Sequence, residues 1–273
     1  MNMPSKLKYL DWLKDTGNAL TTKDGTPVKL FELLHGEDST ILSEWARHFR
    51  NQYCCDSEID FLRETTGKSR SEYLNDLKFP TETGGFGPGT RSGDFAEILI
   101  SDYLEYLFNY WVPRTRYDRK TIRNESTKGS DVLAFKFVST IESPDDCLAM
   151  YEVKAQLSGK IANARLQDAI NDSGKDNLRK AESLNAIRQR FYESKNIQDA
   201  NKIGRFQNPA DRPYKDIYGA VAVYENNIYN PLEASQSDTS EHPQKSSLSL
   251  IIIKGEELMK LVHSLYKRAS DEA

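Results

Sequence analysis

The run IYGAVAVYE, residues 217 to 225, places the tightest constraint on the fold. It is nearly continuous in small and β-branched apolar residues, a composition that suits a strand buried on both faces. Such a strand belongs in the middle of a sheet that is itself flanked by helices. The neighbouring chain supplies both. GDFAEILISDYLEYLFNYW (93–111) reads as a helix, apolar on most sides and therefore central. Three strand-like runs follow: RTRYDRKTI (114–122), DVLAFKFVST (131–140) and CLAMYEVKAQL (147–157), with the turn-forming ESPDD between the last two. Residues 161–195 are mostly helical, with an apolar face of Leu178, Ala181, Leu184, Ile187 and Phe191, and Gly174 divides them into two helices. LSLIIIK (248–254) adds a strand and GEELMKLVHSLYKRA a closing amphipathic helix. The predicted fold class is α/β: a mixed central sheet flanked by helices.

Residues 1–82 carry short amphipathic patterns, LKYLDWLK, VKLFELLHG and ILSEWARHF, and read as a mostly helical N-terminal region. The glycine-rich stretch TETGGFGPGT marks a boundary, with residues 83–90 as a linker and 91–273 as the main domain. It is no phosphate-binding loop. It lacks the Lys and Ser/Thr such a loop needs, and Pro88 removes an amide donor. Residues 233–247, EASQSDTSEHPQKSS, read as a mobile polar surface loop.

The 273 residues are 38% hydrophobic and 29% charged, a composition of a globular chain large enough to bury a core. No apolar run approaches the length of a membrane span, and the N-terminus has no uninterrupted apolar stretch of a secretory signal. The expectation is a cytoplasmic protein without membrane contact. Three cysteines, Cys54, Cys55 and Cys147, make neither a disulfide framework nor a zinc spacing. The four scattered histidines suggest no histidine-driven mechanism. A net charge of −4 argues against coating nucleic acid by bulk charge, so any such affinity must be local. The one clearly basic stretch, 113–129, holds six basic and two acidic residues; by itself it is an edge strand protected by charge.

Chemistry enters with MYEVKAQ (150–156). Side chains alternate along a strand, so Glu152, Lys154 and Gln156 share one face while Tyr151, Val153 and Ala155 share the other. If the second and third strands form a hairpin, Asp131 at the start of one returns toward Glu152 late in the other. Two carboxylates and a backbone carbonyl can hold Mg²⁺, and a lysine beside them can hold the attacking water as hydroxide and counter charge building on phosphorus. Gln156 could orient water. Each residue also has an ordinary reading. Lys154 can pair with a carboxylate on a solvated face, a contact worth under ~1 kcal/mol, Asp131 can be a turn residue, and Asp94 with Glu97 has the spacing of a helix capping box. A hairpin folded symmetrically about ESPDD would also set Asp131 opposite residue 156 or 157, roughly 13 Å from Glu152.

In GDFAEI with Glu97, GSDVLAF with Asp131 and YEVKAQ with Glu152 and Lys154, the chain resembles the PD-(D/E)XK nuclease superfamily, whose αβββαβ restriction-endonuclease-like core has this element order. Serine stands where that family's motif has proline. More narrowly, the N-terminal helical part and these motifs resemble the nuclease subunit of the bacterial Hachiman antiphage system. The resemblance implies Asp131 and Glu152 as metal ligands, Glu97 as an additional one, Lys154 as the catalytic lysine and Mg²⁺ or Mn²⁺ as cofactor. It implies DNA as substrate and a helicase as partner, and it makes Arg114, Arg116, Arg119, Lys120, Arg123, Lys175, Arg179 and Lys180 expected backbone contacts. The alternatives are a nuclease-like module without chemistry and a restriction or repair nuclease.

Overall fold

The computed structural model describes residues 6–273. In chain order its elements are β1 (Leu13–Asp15), β2 (Leu20–Thr21), β3 (Pro27–Leu33), α1 (Ser39–Tyr53), α2 (Ile59–Arg63), α3 (Arg70–Tyr73), α4 (Gly87–Asp102), β4 (Val132–Lys136), β5 (Cys147–Gln156), α5 (Arg165–Ser173), α6 (Asp176–Glu193), α7 (Ile197–Gly204), β6 (Lys215–Glu225), α8 (Pro231–Ser235), β7 (Leu248–Gly255) and α9 (Leu258–Asp271). Among these residues seven strands make one mixed sheet, in the order β1-β3-β7-β6-β5-β4 with β2 beside β3. β3, β7, β6 and β5 run parallel, and β1 and β4 are antiparallel to their neighbours. The run at 217–225 is central, as its composition predicts, and lies between β5 and β7.

Helices cover both faces. On one, Trp45 and Phe49 of α1, Phe95 and Leu99 of α4 and Leu265 of α9 share a core with Tyr151, Val153 and Val221. On the other, α5 packs on Ala220, Ala222 and Ile252, and α6 packs on Leu133, Phe135, Leu148 and Met150. Gly174 ends α5 and separates it from α6, as expected. Leu184 and Ile187 are buried, whereas Leu178, predicted to share their face, is 82% exposed.

Several elements differ from the sequence expectation for identifiable reasons. VKLFEL lies in β3, not in a helix. Val28 and Leu30 enter one core while Phe31 and Leu33 enter the other, so a strand buried on both faces imitates three-residue helical spacing. The predicted helix at 93–111 begins earlier, at Gly87 with Pro88 in the first turn, a position where proline's missing N–H costs nothing. It ends in a π-helical turn, Tyr103–Leu107. The glycine-rich stretch is thus shared between turns and the start of α4. Asp94 and Glu97 lie well inside that helix, so they form no capping box. Residues 114–122 form no strand, and only a bridge from Trp111 to Phe135 reaches the β4 edge. Their side chains turn inward to the carboxylates of α4 instead. Residues 233–247 are anchored: Thr239 is fully buried, and Thr239 and Lys245 both donate to Asp24 at 2.6 Å. No helix among the described residues is long and apolar enough to cross a membrane.

The parallel pair β5–β6 leaves space for only one side chain at one point. Gly219 is opposite Tyr151, and a Cβ there would stand 2.2 Å from the tyrosine ring. Gly219→Ala is expected to cost about 1–3 kcal/mol by overpacking. Chemical denaturation checks this, and a loss under about 0.5 kcal/mol would contradict it.

Candidate active site

The β4–β5 hairpin folds about Ile141 and Glu142, not about the middle of ESPDD. Its pairs run from Val132↔Tyr151 to Lys136↔Cys147, and one further step in that register sets Asp131 opposite Glu152. The offset of about four residues that folding about ESPDD would give is therefore absent, and Asp146 closes the connection: its carboxylate accepts from the Val138 amide at 3.0 Å and pairs with Arg205. Across the hairpin, the Val153 N–H donates to Asp131 Oδ2 at 3.0 Å. In a strand the N–H and C=O of one residue face the same neighbour, so the Val153 carbonyl is turned to the same edge.

Lys154 and Glu152 share the sheet face that the alternation predicts. Lys154 Nζ lies 2.7 Å from Glu152 Oε1 and 2.8 Å from Asp172 Oδ2 on α5. Burial pulls the ammonium pKa down, but the two carboxylates outweigh it and hold the group above the ordinary lysine range. Lys154 therefore stays charged. Glu152 Oε2 is buried and has no hydrogen-bond partner. Burial, reinforced by the Asp131 charge, pushes this carboxyl up to about 8 despite Lys154.

Glu97 reaches the same cluster from α4. Tyr117 donates to its Oε2 at 2.6 Å, and Arg116 bridges it to Asp131, at 2.7 Å and 2.8 Å respectively. Burial raises Glu97 to about 8 against Arg116, with Asp131 and Asp94 adding to the rise. Asp176, the first residue of α6, is also enclosed; burial, with Asp131 adding to it, lifts the group to about 6 even though Ser130 donates to Oδ1 at 2.8 Å. Sequence reasoning missed Arg116 as the link between the acids, and it missed Asp172 and Asp176. The nearest signal was NDSGKD (171–176), at the glycine break.

Gln156 takes no part in this cluster. Its amide donates to the Ile161 carbonyl and accepts from the Asn163 N–H, both at 2.8 Å, which fixes the chain after β5. The residues expected to meet DNA divide into two groups. Lys120 is buried against Asp94 at 2.5 Å, Arg114 is held by Asp102 and Glu105, and Arg123 donates to the Asn75 carbonyl. Arg119 and Lys175 pair with Glu193 and Asp172 at the surface, whereas Lys180, mostly enclosed, pairs with Asp216. Arg179 opens onto a cavity of about 580 Å³ between α6 and the segments 112–117 and 127–133. Arg116, Lys128, Arg190 and Asp131 also line it.

Among the described residues no three Asp, Glu, His or Cys side chains converge closely enough to hold a bare ion. A site of two carboxylates, one carbonyl and waters nevertheless fits. Asp131 is fixed by the Val153 amide, Glu152 Oε2 is enclosed and unpaired, and the Glu152 carboxyl is raised by burial and by the Asp131 charge, both of which a cation would offset.

The family model HamA matches residues 8–269, nearly the whole chain. No curated protein matches it.

The raised Glu152 pKa has a thermodynamic consequence. Its protonated form stabilises the cation-free fold; that contribution is complete below about 4.5 and lost as pH rises to about 8. Glu152→Gln should flatten this fall, gaining on the order of 2 kcal/mol relative to wild type between pH 5 and pH 9 in EDTA. Urea unfolding at both pH values tests it, and parallel pH profiles would contradict it.

Proposed function

From the premise that the chain belongs to the HamA family of Hachiman antiphage-defence proteins, we propose that it is the nuclease of that system, cleaving DNA phosphodiester bonds with Mg²⁺ or Mn²⁺ and working beside a helicase. The observation that carries this reading is the β4–β5 register, which sets Asp131 opposite Glu152 with Lys154 on the same face. Asp131, Glu152 and the Val153 carbonyl would hold the cation. A bound divalent ion supplies Lewis-acid polarisation of a phosphate oxygen and acidifies water.

The chain's own residues do the rest. Lys154, kept charged by Glu152 and Asp172, holds a hydroxide nucleophile and counters the negative charge that develops on the phosphate. Arg179, at the wall of the cavity beside Asp131, presents a planar guanidinium group suited to the DNA backbone. Much of the remaining positive charge is paired internally. Intrinsic DNA affinity is therefore modest, and delivery by a helicase accounts for substrate capture.

Supercoiled plasmid incubated with the purified protein and Mg²⁺ or Mn²⁺, with and without a Hachiman-type helicase, tests this function. Lys154→Ala and Asp131→Asn are each expected to lower cutting by at least about 100-fold with unchanged far-UV circular dichroism. Undiminished cutting by Lys154→Ala would overturn the mechanism. Absence of cutting by wild type with the helicase present would favour a binding module without chemistry.

A further inference from the structure

Two buried carboxylate oxygens in the acidic cluster have no partner, and they come from different elements: Glu152 Oε2 on β5 and Asp176 Oδ2 at the start of α6. Asp176 belongs to none of the motifs that suggested the site. Its position follows from packing. Leu184 and Ile187 of α6 share a core with Leu133, Phe135, Leu148 and Met150, and the start of the helix is tied to Ser130, just before β4. Two turns before Leu184, α6 therefore begins above the part of β5 where Glu152 emerges.

Asp176 is fully buried. Its Oδ1 accepts from the hydroxyl of Ser130 at 2.8 Å, and Ser130 immediately precedes Asp131. A carboxylate at a helix N-terminus is unremarkable when its oxygens reach backbone amides or solvent. Here the second oxygen reaches neither, and an enclosed acceptor left unfilled is costly. The same holds for Glu152 Oε2, in the site that already calls for a cation. Direct ligation by three side chains is not the geometry present. Magnesium, however, sheds its waters reluctantly and meets many of its protein partners through them.

We propose that Asp176 is an outer-sphere ligand of the divalent cation held by Asp131 and Glu152, its Oδ2 accepting a hydrogen bond from a cation-bound water. This rests on the metal-dependent reading of that site. Asp176 acts as a positioning residue: it fixes one water of the shell and, through Ser130, the approach to Asp131.

Calorimetric titration of Mn²⁺ into the full chain without DNA separates the two ideas. Wild type should bind; Asp131→Asn should not. Asp176→Asn, and Asp176→Ser as a second variant with less bulk in the enclosed space, should each weaken Mn²⁺ binding about tenfold or more. Their thermal midpoints in EDTA should stay close to wild type, which a merely structural role would not predict. Asp199→Asn on α7 should bind as wild type does. Wild-type Mn²⁺ affinity in a folded Asp176 variant overturns the inference and leaves the metal-dependent reading intact. No Mn²⁺ binding by wild type overturns both.

Discussion

The hydrogen bond from the Val153 amide to Asp131 Oδ2 is where sheet pairing becomes site geometry. It extends the β4–β5 ladder one step past β4 and replaces a backbone acceptor with a carboxylate. Because side chains alternate strictly along a strand, a slip of one residue in that register would turn Asp131 away from Glu152 and Lys154. The register is held at the far end by Asp146, whose carboxylate closes the connection, and on the other side by ten residues of parallel pairing between β5 and β6. The central strands thus hold the acidic residues in place.

Enclosing that many acids has a cost, and the structure meets it with cations from a segment that is not a strand. Arg114, Arg116 and Lys120 each enter the interior to meet α4 carboxylates, while Tyr53 and Tyr117 donate to Asp94 and Glu97 at 2.6 Å. Removing one member of such a buried network leaves an uncompensated charge. The 114–122 segment therefore links the α4 side of the molecule to the sheet edge, with Arg116 touching both. What composition suggests as a charged edge strand is a set of internal counter-ions.

Much of the architecture was legible because some signals have only one physical reading. The apolar run of β6 demanded two covered faces, the alternation in MYEVKAQ put Glu152 and Lys154 together, and Gly174 broke the helical stretch. Other features were obscured by long-range packing. β3 imitates helical spacing because the sheet buries both of its faces. The start of α4 hid in a glycine-rich string. The hairpin register depends on Asp146 and Arg205, which are far apart in sequence, so no local pattern could supply it. The linking role of Arg116, and Asp172 and Asp176 altogether, escaped for the same reason: each joins the cluster through tertiary contacts, and none carries a motif.

The pairing of β3 with β7 has a consequence for the order of assembly. Residues 27–33 lie parallel to residues 248–255, so β1–β3, which pair with one another, cannot join the rest of the sheet until β7 has been synthesised. The β4–β5 hairpin, by contrast, closes over a short connection and can form early. At ribosomal rates of about 5–20 residues per second, the segment bearing β1–β3 waits ten seconds or more, on the order of the time needed to add some two hundred residues. During that interval the nascent protein exposes the β7-facing edge and apolar side chains on both sides of β3. Sequence-distant closure of this kind slows folding, and it leaves the elongating polypeptide, more than the finished one, with an unpaired edge open to aggregation.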